Sequence, residues 1–212
     1  MHGVRGNRTG MIGRAEFLHQ AGYAILLFDF QAHGESPGEH ITFGFLESKD
    51  AQAAVEFVRQ RNPGGKIAVD GISLGGASAL LAKPPLPVDA MILEMVYPNI
   101  VDATKDRFAL ALGSLAKPLS YLLTCQIKPR LGIGCDDLRP IDCVGKISAP
   151  KLFIAGTEDR HTTIAEAKQI FAAAAEPKQF WAVEGANHCD LHGVAKKEFE
   201  ERVLKFLRES LN

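Results

Sequence analysis

The 212 residues carry 24 basic and 25 acidic side chains mixed along the chain, for a formal charge of −1, and 46% of them are apolar. That composition suits one globular domain with an ordinary core, and its unclustered, near-zero charge argues against nucleic acid or an anionic membrane surface as partner. No apolar run approaches the ~20 residues that span a bilayer, the first residues lack a signal peptide's apolar stretch, and Cys125, Cys135, Cys143 and Cys189 have no CxxC spacing, so a cytoplasmic protein with free thiols and no metal or other cofactor is expected.

Along the chain, apolar runs bounded by turn residues alternate with segments of helical period. Thr9–Ala21 is expected as a helix, with Met11, Ile12, Ala15, Phe17 and Leu18 near one face and Gly22 as its stop. The continuous apolar run Ala24–Phe30 reads as a strand buried on both faces. A Gly/Pro-rich turn over His33–Gly38 leads to a helix over Glu47–Arg61, which Asn62-Pro63-Gly64-Gly65 ends. Lys66–Asp70 is a second strand, running directly into Gly71-Ile72-Ser73-Leu74-Gly75-Gly76 and a small-residue helix over Ala77–Lys83. Met91–Met95, Lys151–Ala155 and Gln179–Val183 read as further strands, with helices over Thr163–Ala175 and Ala195–Leu211. This order predicts an α/β fold with a doubly wound, mostly parallel sheet in a single domain over residues 1–212.

Residues 97–150 break the rhythm. They hold helical stretches near Val101–Leu112 and Pro118–Ile127, and apolar residues such as Phe108, Leu110, Leu115, Leu119, Leu122 and Leu123 argue against a disordered linker. Insertions of this length inside a domain are usually lids or binding loops, so a small helical cap is expected.

Gly71-Ile72-Ser73-Leu74-Gly75 matches the G-x-S-x-G nucleophile elbow, a sharp strand-to-helix turn that leaves the serine exposed above the sheet. Ile67-Ala68-Val69 before it and Gly76-Ala77-Ser78-Ala79-Leu80-Leu81 after it supply the required strand and helix. A serine hydroxyl becomes a competent nucleophile only when an imidazole takes its proton, and a carboxylate must orient that imidazole. With the order Ser, acid, His on loops after successive strands, Asp159 follows the strand Lys151–Ala155 and His188 follows Gln179–Val183, so these two are assigned as acid and base. Glu158 stays open as an alternative acid and His161 as an alternative base. Asp190 reads as a loop or capping residue, and His33 as a maker of backbone hydrogen bonds. His19 falls on a helix, His40 in a loop, and His192 too far past the last strand. Dinucleotide binding is disfavoured because the turn lacks G-x-G-x-x-G, and zinc because His188 and His192 enclose no glutamate.

These residues resemble the α/β-hydrolase superfamily, especially the small bacterial hydrolases near serine aminopeptidases and prolyl-oligopeptidase-like domains. The likeness runs through His2-Gly3, Asp29-Phe30-Gln31-Ala32-His33-Gly34-Glu35-Ser36, the elbow at Ser73, Gly156-Thr157-Glu158-Asp159 and Gly185-Ala186-Asn187-His188. It implies an oxyanion hole built from the backbone N–H groups of Val4 and Leu74. It also implies strands ahead of the His-Gly turn that this sequence does not contain, which would leave an exposed apolar edge beside Ala24–Phe30 and favour a homodimer there. The activity expected is that of a serine hydrolase cleaving a small or medium acyl ester. A peptidase, with Asp136 and Asp137 as candidate anchors for a substrate amine, and a non-catalytic binding protein are the alternatives.

Overall fold

Strands covered by helices on both faces are built mainly of apolar residues, and the central pair of this sheet follows that pattern except at its ends, where Glu94 and Lys151 are buried. The computed structural model describes residues 1–113 and 116–211; Leu115 of the expected cap lies outside the described residues. Its four strands, β1 (Ala68–Ile72), β2 (Ala90–Glu94), β3 (Lys151–Gly156) and β4 (Lys178–Val183), form one parallel sheet in that order. Every residue of β2 and β3 is buried.

Successive side chains of β2 serve opposite layers, as the two-residue period of a strand dictates. Met91 and Leu93 join the core formed with α2 (Glu47–Arg61), α3 (Leu74–Leu81) and α7 (Ile164–Ala173), through Val55, Leu80 and Ile170. Ile92 faces the other way, toward α1 (Ile12–Gln20) and α9 (Lys196–Leu211), where Phe17, Phe199, Val203 and Phe206 lie. Each fully buried Leu or Phe of these layers stabilises the fold by about 1.5–3 kcal/mol. Helix α7 begins at a reciprocal cap: Glu166 accepts from the backbone N–H of Thr163 at 2.8 Å, and the Thr163 hydroxyl oxygen accepts from that of Glu166.

The expected cap region holds α4 (Ile100–Leu112) and α5 (Ala116–Leu131), followed by a short 3₁₀ turn over Cys135–Asp137 and α6 (Pro140–Val144). Leu81, Ile100, Ile127, Ile133 and Leu138 form a separate small core that fastens this region to α3. The chain closes with α8 (Leu191–Val194), between β4 and α9.

Two expectations are corrected. Helix α3 starts at Leu74 rather than Ala77, because Gly75 and Gly76 pack inside the first turn instead of preceding it. Ala24–Phe30 is not a strand, and it is not buried on both faces: Ile25 and Leu26 are each 37% exposed. A strand requires a hydrogen-bonded neighbour, and between this segment and β1 lies an apolar slot of about 730 Å³. Met1 alone among the described residues makes hydrogen bonds to the β1 backbone from that side, its nitrogen donating to the Asp70 carbonyl at 2.7 Å and its carbonyl accepting from Ile72 N–H at 3.1 Å. Among the described residues, no helix is long and apolar enough to cross a membrane.

Candidate active site

Ser73 occupies the corner between β1 and α3 with φ 49° and ψ −108°, a left-handed conformation that a serine adopts only when its surroundings hold it there. The constraint is visible on both sides. A Cβ on Gly71 would sit 2.6 Å from the Gly76 nitrogen, and one on Gly75 would sit 2.5 Å from the Met1 carbonyl oxygen, so only glycine permits so tight a turn. The Ser73 amide donates to the Glu94 carbonyl at 2.7 Å, fixing the corner to the end of β2.

His188 and Asp159 reach the same edge from the loops after β4 and β3. The imidazole Nδ1 donates to Asp159 Oδ2 at 2.7 Å, while Asp159 Oδ1 accepts from the backbone N–H of His161 at 2.7 Å and of Thr162 at 2.9 Å. The carboxylate is thus buried yet satisfied, and it leaves Nε2 as the free face of His188. Ser73 and His188 line one cavity of about 860 Å³. Among the described residues no hydrogen bond joins the Ser73 hydroxyl to His188; such bonds commonly tighten only when substrate is bound.

His2 and Gly3 stand against the corner, with the Gly3 Cβ position 3.8 Å from Ser73 Cβ. Since a carbonyl can only accept, His2 Nδ1 donates to the Gly3 carbonyl at 2.9 Å, and Nε2 accepts from Phe30 N–H at 3.1 Å; burial also lowers the ring's pKa and keeps it neutral. Val4 and Leu74 line the cavity beside Ser73, and among the described residues neither amide has a protein acceptor. Donors left free at a helix N-terminus and an adjoining turn can receive an oxyanion. The cavity is also lined by the loop after Glu39, held by the buried Glu47 carboxylate, which accepts from Thr42 N–H, Thr42 Oγ1–H and Gly44 N–H.

The remaining candidates separate clearly. Glu158 is exposed and does not meet His188, so its alternative role as the acid is corrected. His161 does lie at the site, with its ring 5.2 Å from that of His188; burial lowers its pKa, Nδ1 is buried without a partner, and Asp159 meets its backbone rather than its ring. His33 Nδ1 donates to the Gln31 carbonyl, His192 pairs with Glu200, His40 lines the cavity, and His19 lies on α1. Asp190 stands at the N-cap of α8 without a capping bond and pairs instead with Arg14 at 2.6 Å. Asp136 and Asp137 are outside the cavity, where Asp137 accepts from Gly134 N–H within its own turn. The sequence reading missed Arg14: only 3% exposed, it holds both oxygens of Glu94 at 2.8 and 2.7 Å. Among the described residues no cluster of three or more His, Cys, Asp or Glu side chains is placed to hold a metal ion.

The parallel sheet, with an elbow on β1 and loops from β3 and β4 converging above it, defines an α/β hydrolase. A family model described as serine aminopeptidase, S33 (Hydrolase_4), matches residues 1–122, more than half of the chain, and the chain belongs to that family. Among solved structures, the chain is similar to an esterase of Pyrococcus furiosus, at 25% identity and a TM-score of 0.78, covering 100% of this chain and 82% of that one. A monoacylglycerol lipase of Paleococcus ferrophilus shares the fold at 20% identity and a TM-score of 0.69, over 98% of this chain and 91% of that one. The uncharacterised protein YqkD of Bacillus subtilis is 23% identical over 210 residues, 97% of this chain and 69% of that protein. An uncharacterised protein of Mycobacterium tuberculosis is 28% identical over 211 residues, 99% of this chain and 68% of that protein.

Proposed function

We propose that this hydrolase is a serine esterase that cleaves small or medium acyl esters through an acyl-Ser73 intermediate. The observation that carries the reading is Ser73 in its left-handed corner on a cavity wall shared with His188, whose Nδ1 is tied to Asp159 at 2.7 Å. His188 Nε2 takes the hydroxyl proton as Ser73 Oγ attacks the ester carbonyl, and Asp159 stabilises the imidazolium that results. The amides of Val4 and Leu74 receive the negative oxygen, each such donor contributing about 3 kcal/mol to the barrier reduction. His188 then returns the proton to the departing alkoxide, and water, activated by the same nitrogen, releases the acid. Helices α4 and α5 act as a cap, since Ile100, Phe108, Leu123 and Ile127 give the cavity its apolar lining.

Labelling with a fluorophosphonate, alongside hydrolysis of p-nitrophenyl acetate and butyrate, tests this reading. Labelling and turnover that vanish in Ser73→Ala support it; a folded wild-type protein that neither labels nor turns over refutes it. The family's description as a serine aminopeptidase favours a second reading, cleavage of short peptides. Release of p-nitroaniline from aminoacyl p-nitroanilides faster than of p-nitrophenol from the esters would select it.

A further inference from the structure

Arg5, Arg107 and Arg130 line the cavity above Ser73. Four arginines elsewhere are paired, Arg8 with Asp29 and Glu35, Arg14 with Glu94 and Asp190, Arg139 with Asp142, and Arg202 with Glu198, while Arg59 donates to backbone carbonyls and Arg61 lies over Phe57. Among the described residues, none of the three cavity arginines forms an ion pair. The residues lining the cavity include these three arginines, all exposed to solvent, and one acidic residue, Glu39. Cations gathered around an apolar concavity focus a positive field on what enters it.

Their placement relates them to the chemistry. Arg5 follows Val4 directly and is held at φ 58°, a conformation unusual for a residue with a side chain and often found where a binding site constrains the backbone. Arg107, on α4, is close enough to His161 to disfavour that ring's charged form, and His161 in turn stands against His188. Arg130 lies in the last turn of α5, on the cap side. A guanidinium fork matches the paired oxygens of a carboxylate or phosphate, whereas a neutral acyl chain has no use for three of them.

We infer that the substrate is an acyl ester bearing an anionic group, a carboxylate or phosphate, which Arg107 binds together with Arg5 and Arg130. The inference rests on the acyl-Ser73 reading. Two matched pairs of esters test it: 4-butyryloxybenzoate against 4-butyryloxybenzamide, with the charge on the alcohol, and mono-4-nitrophenyl glutarate against 4-nitrophenyl glutaramate, with the charge on the acyl group. The anionic member of at least one pair is expected to have kcat/KM higher by about tenfold or more, the ordinary worth of one charge-assisted contact. That ratio should shrink in Arg107→Gln, recover in part in Arg107→Lys, and collapse to about unity in the triple variant Arg5→Gln, Arg107→Gln, Arg130→Gln. The pair that shows the preference locates the charge on the alcohol or the acyl side. Equal rates within both pairs, or a preference that survives the triple variant, would overturn the inference. If wild type hydrolyses none of the four esters, it is the acyl-Ser73 reading that fails. Titration calorimetry of Ser73→Ala protein with 4-butyryloxybenzoate and its amide then decides the arginine site separately: tighter binding of the anion that the triple variant loses supports it, and equal binding overturns it.

Discussion

Replacing Asp159 by asparagine should disable the site without disturbing the fold, and the hydrogen bonds specify how. Asp159 Oδ1 accepts from two backbone amides, at 2.7 and 2.9 Å, and these donors require an oxygen. The asparagine carbonyl must therefore take the Oδ1 position, which turns the NH₂ group toward His188 Nδ1, where the carboxylate now accepts at 2.7 Å. Two donors cannot face each other, so the imidazole moves its proton to Nε2 and presents an N–H to Ser73 where a base is needed. The expected result is a fall in kcat of about 10⁴, equivalent to ~5.5 kcal/mol of barrier, with KM changed little because the cavity walls are intact. Steady-state hydrolysis of p-nitrophenyl butyrate, with a thermal melt to verify the fold, measures it. A folded Asp159→Asn protein retaining more than about a tenth of wild-type kcat would refute the tautomer argument. The exposed Glu158, changed to Gln, should leave the rate as it was.

His188→Ala should abolish ester turnover, whereas His161→Phe should lose less than about tenfold, because only His188 has the carboxylate that a base requires; equal losses would reopen the assignment. Gly75→Ala places a methyl group against the Met1 carbonyl and should destabilise the protein by about 1–3 kcal/mol in urea unfolding, with slower fluorophosphonate labelling as the turn is displaced. Burial and the neighbouring Asp70 push Glu94 up to about 8, so the folded protein keeps a proton that the unfolded chain releases. The stability this proton provides is complete below the ordinary value of 4.5 and is lost as pH rises through about 8, a slope that Glu94→Gln should flatten. Arg14→Met should then cost about 3–5 kcal/mol at pH 9, where the wild-type protein holds an ionised Glu94 against Arg14 and the variant cannot, and less at pH 6; a cost independent of pH would contradict the coupling.

What the sequence disclosed depended on whether the controlling interaction was local. The β2 and β3 runs were legible because a strand covered on both faces is apolar along most of its length, with Glu94 and Lys151 confined to the ends, and the Ser73 elbow because its glycines answer contacts a few residues away. Helix α2 was found to its ends, since its stop lies in the adjoining Asn-Pro-Gly-Gly. Ala24–Phe30 was misread for the complementary reason: hydrophobicity shows that a segment avoids water but not whether another strand lies beside it. The Arg14–Glu94 pair, 80 residues apart, had no local signature, nor did the three cavity arginines, which come from the turn after Val4 and from α4 and α5.

The misread segment nonetheless bears on the chemistry. Phe30 is fully buried at its end, and its N–H is the donor that His2 Nε2 accepts. That bond, with His2 Nδ1 donating to the Gly3 carbonyl, sets the ring in one tautomer and braces the turn that presents the Val4 amide to the cavity. Met1, next to His2, hydrogen-bonds to β1 at Asp70 and Ile72. The His2 ring therefore ties the end of Ala24–Phe30 to the turn that carries Val4. On the proposed mechanism, loosening the bond between Phe30 N–H and His2 should act on kcat through the Val4 amide before it weakens substrate binding, because an oxyanion forms only in the transition state.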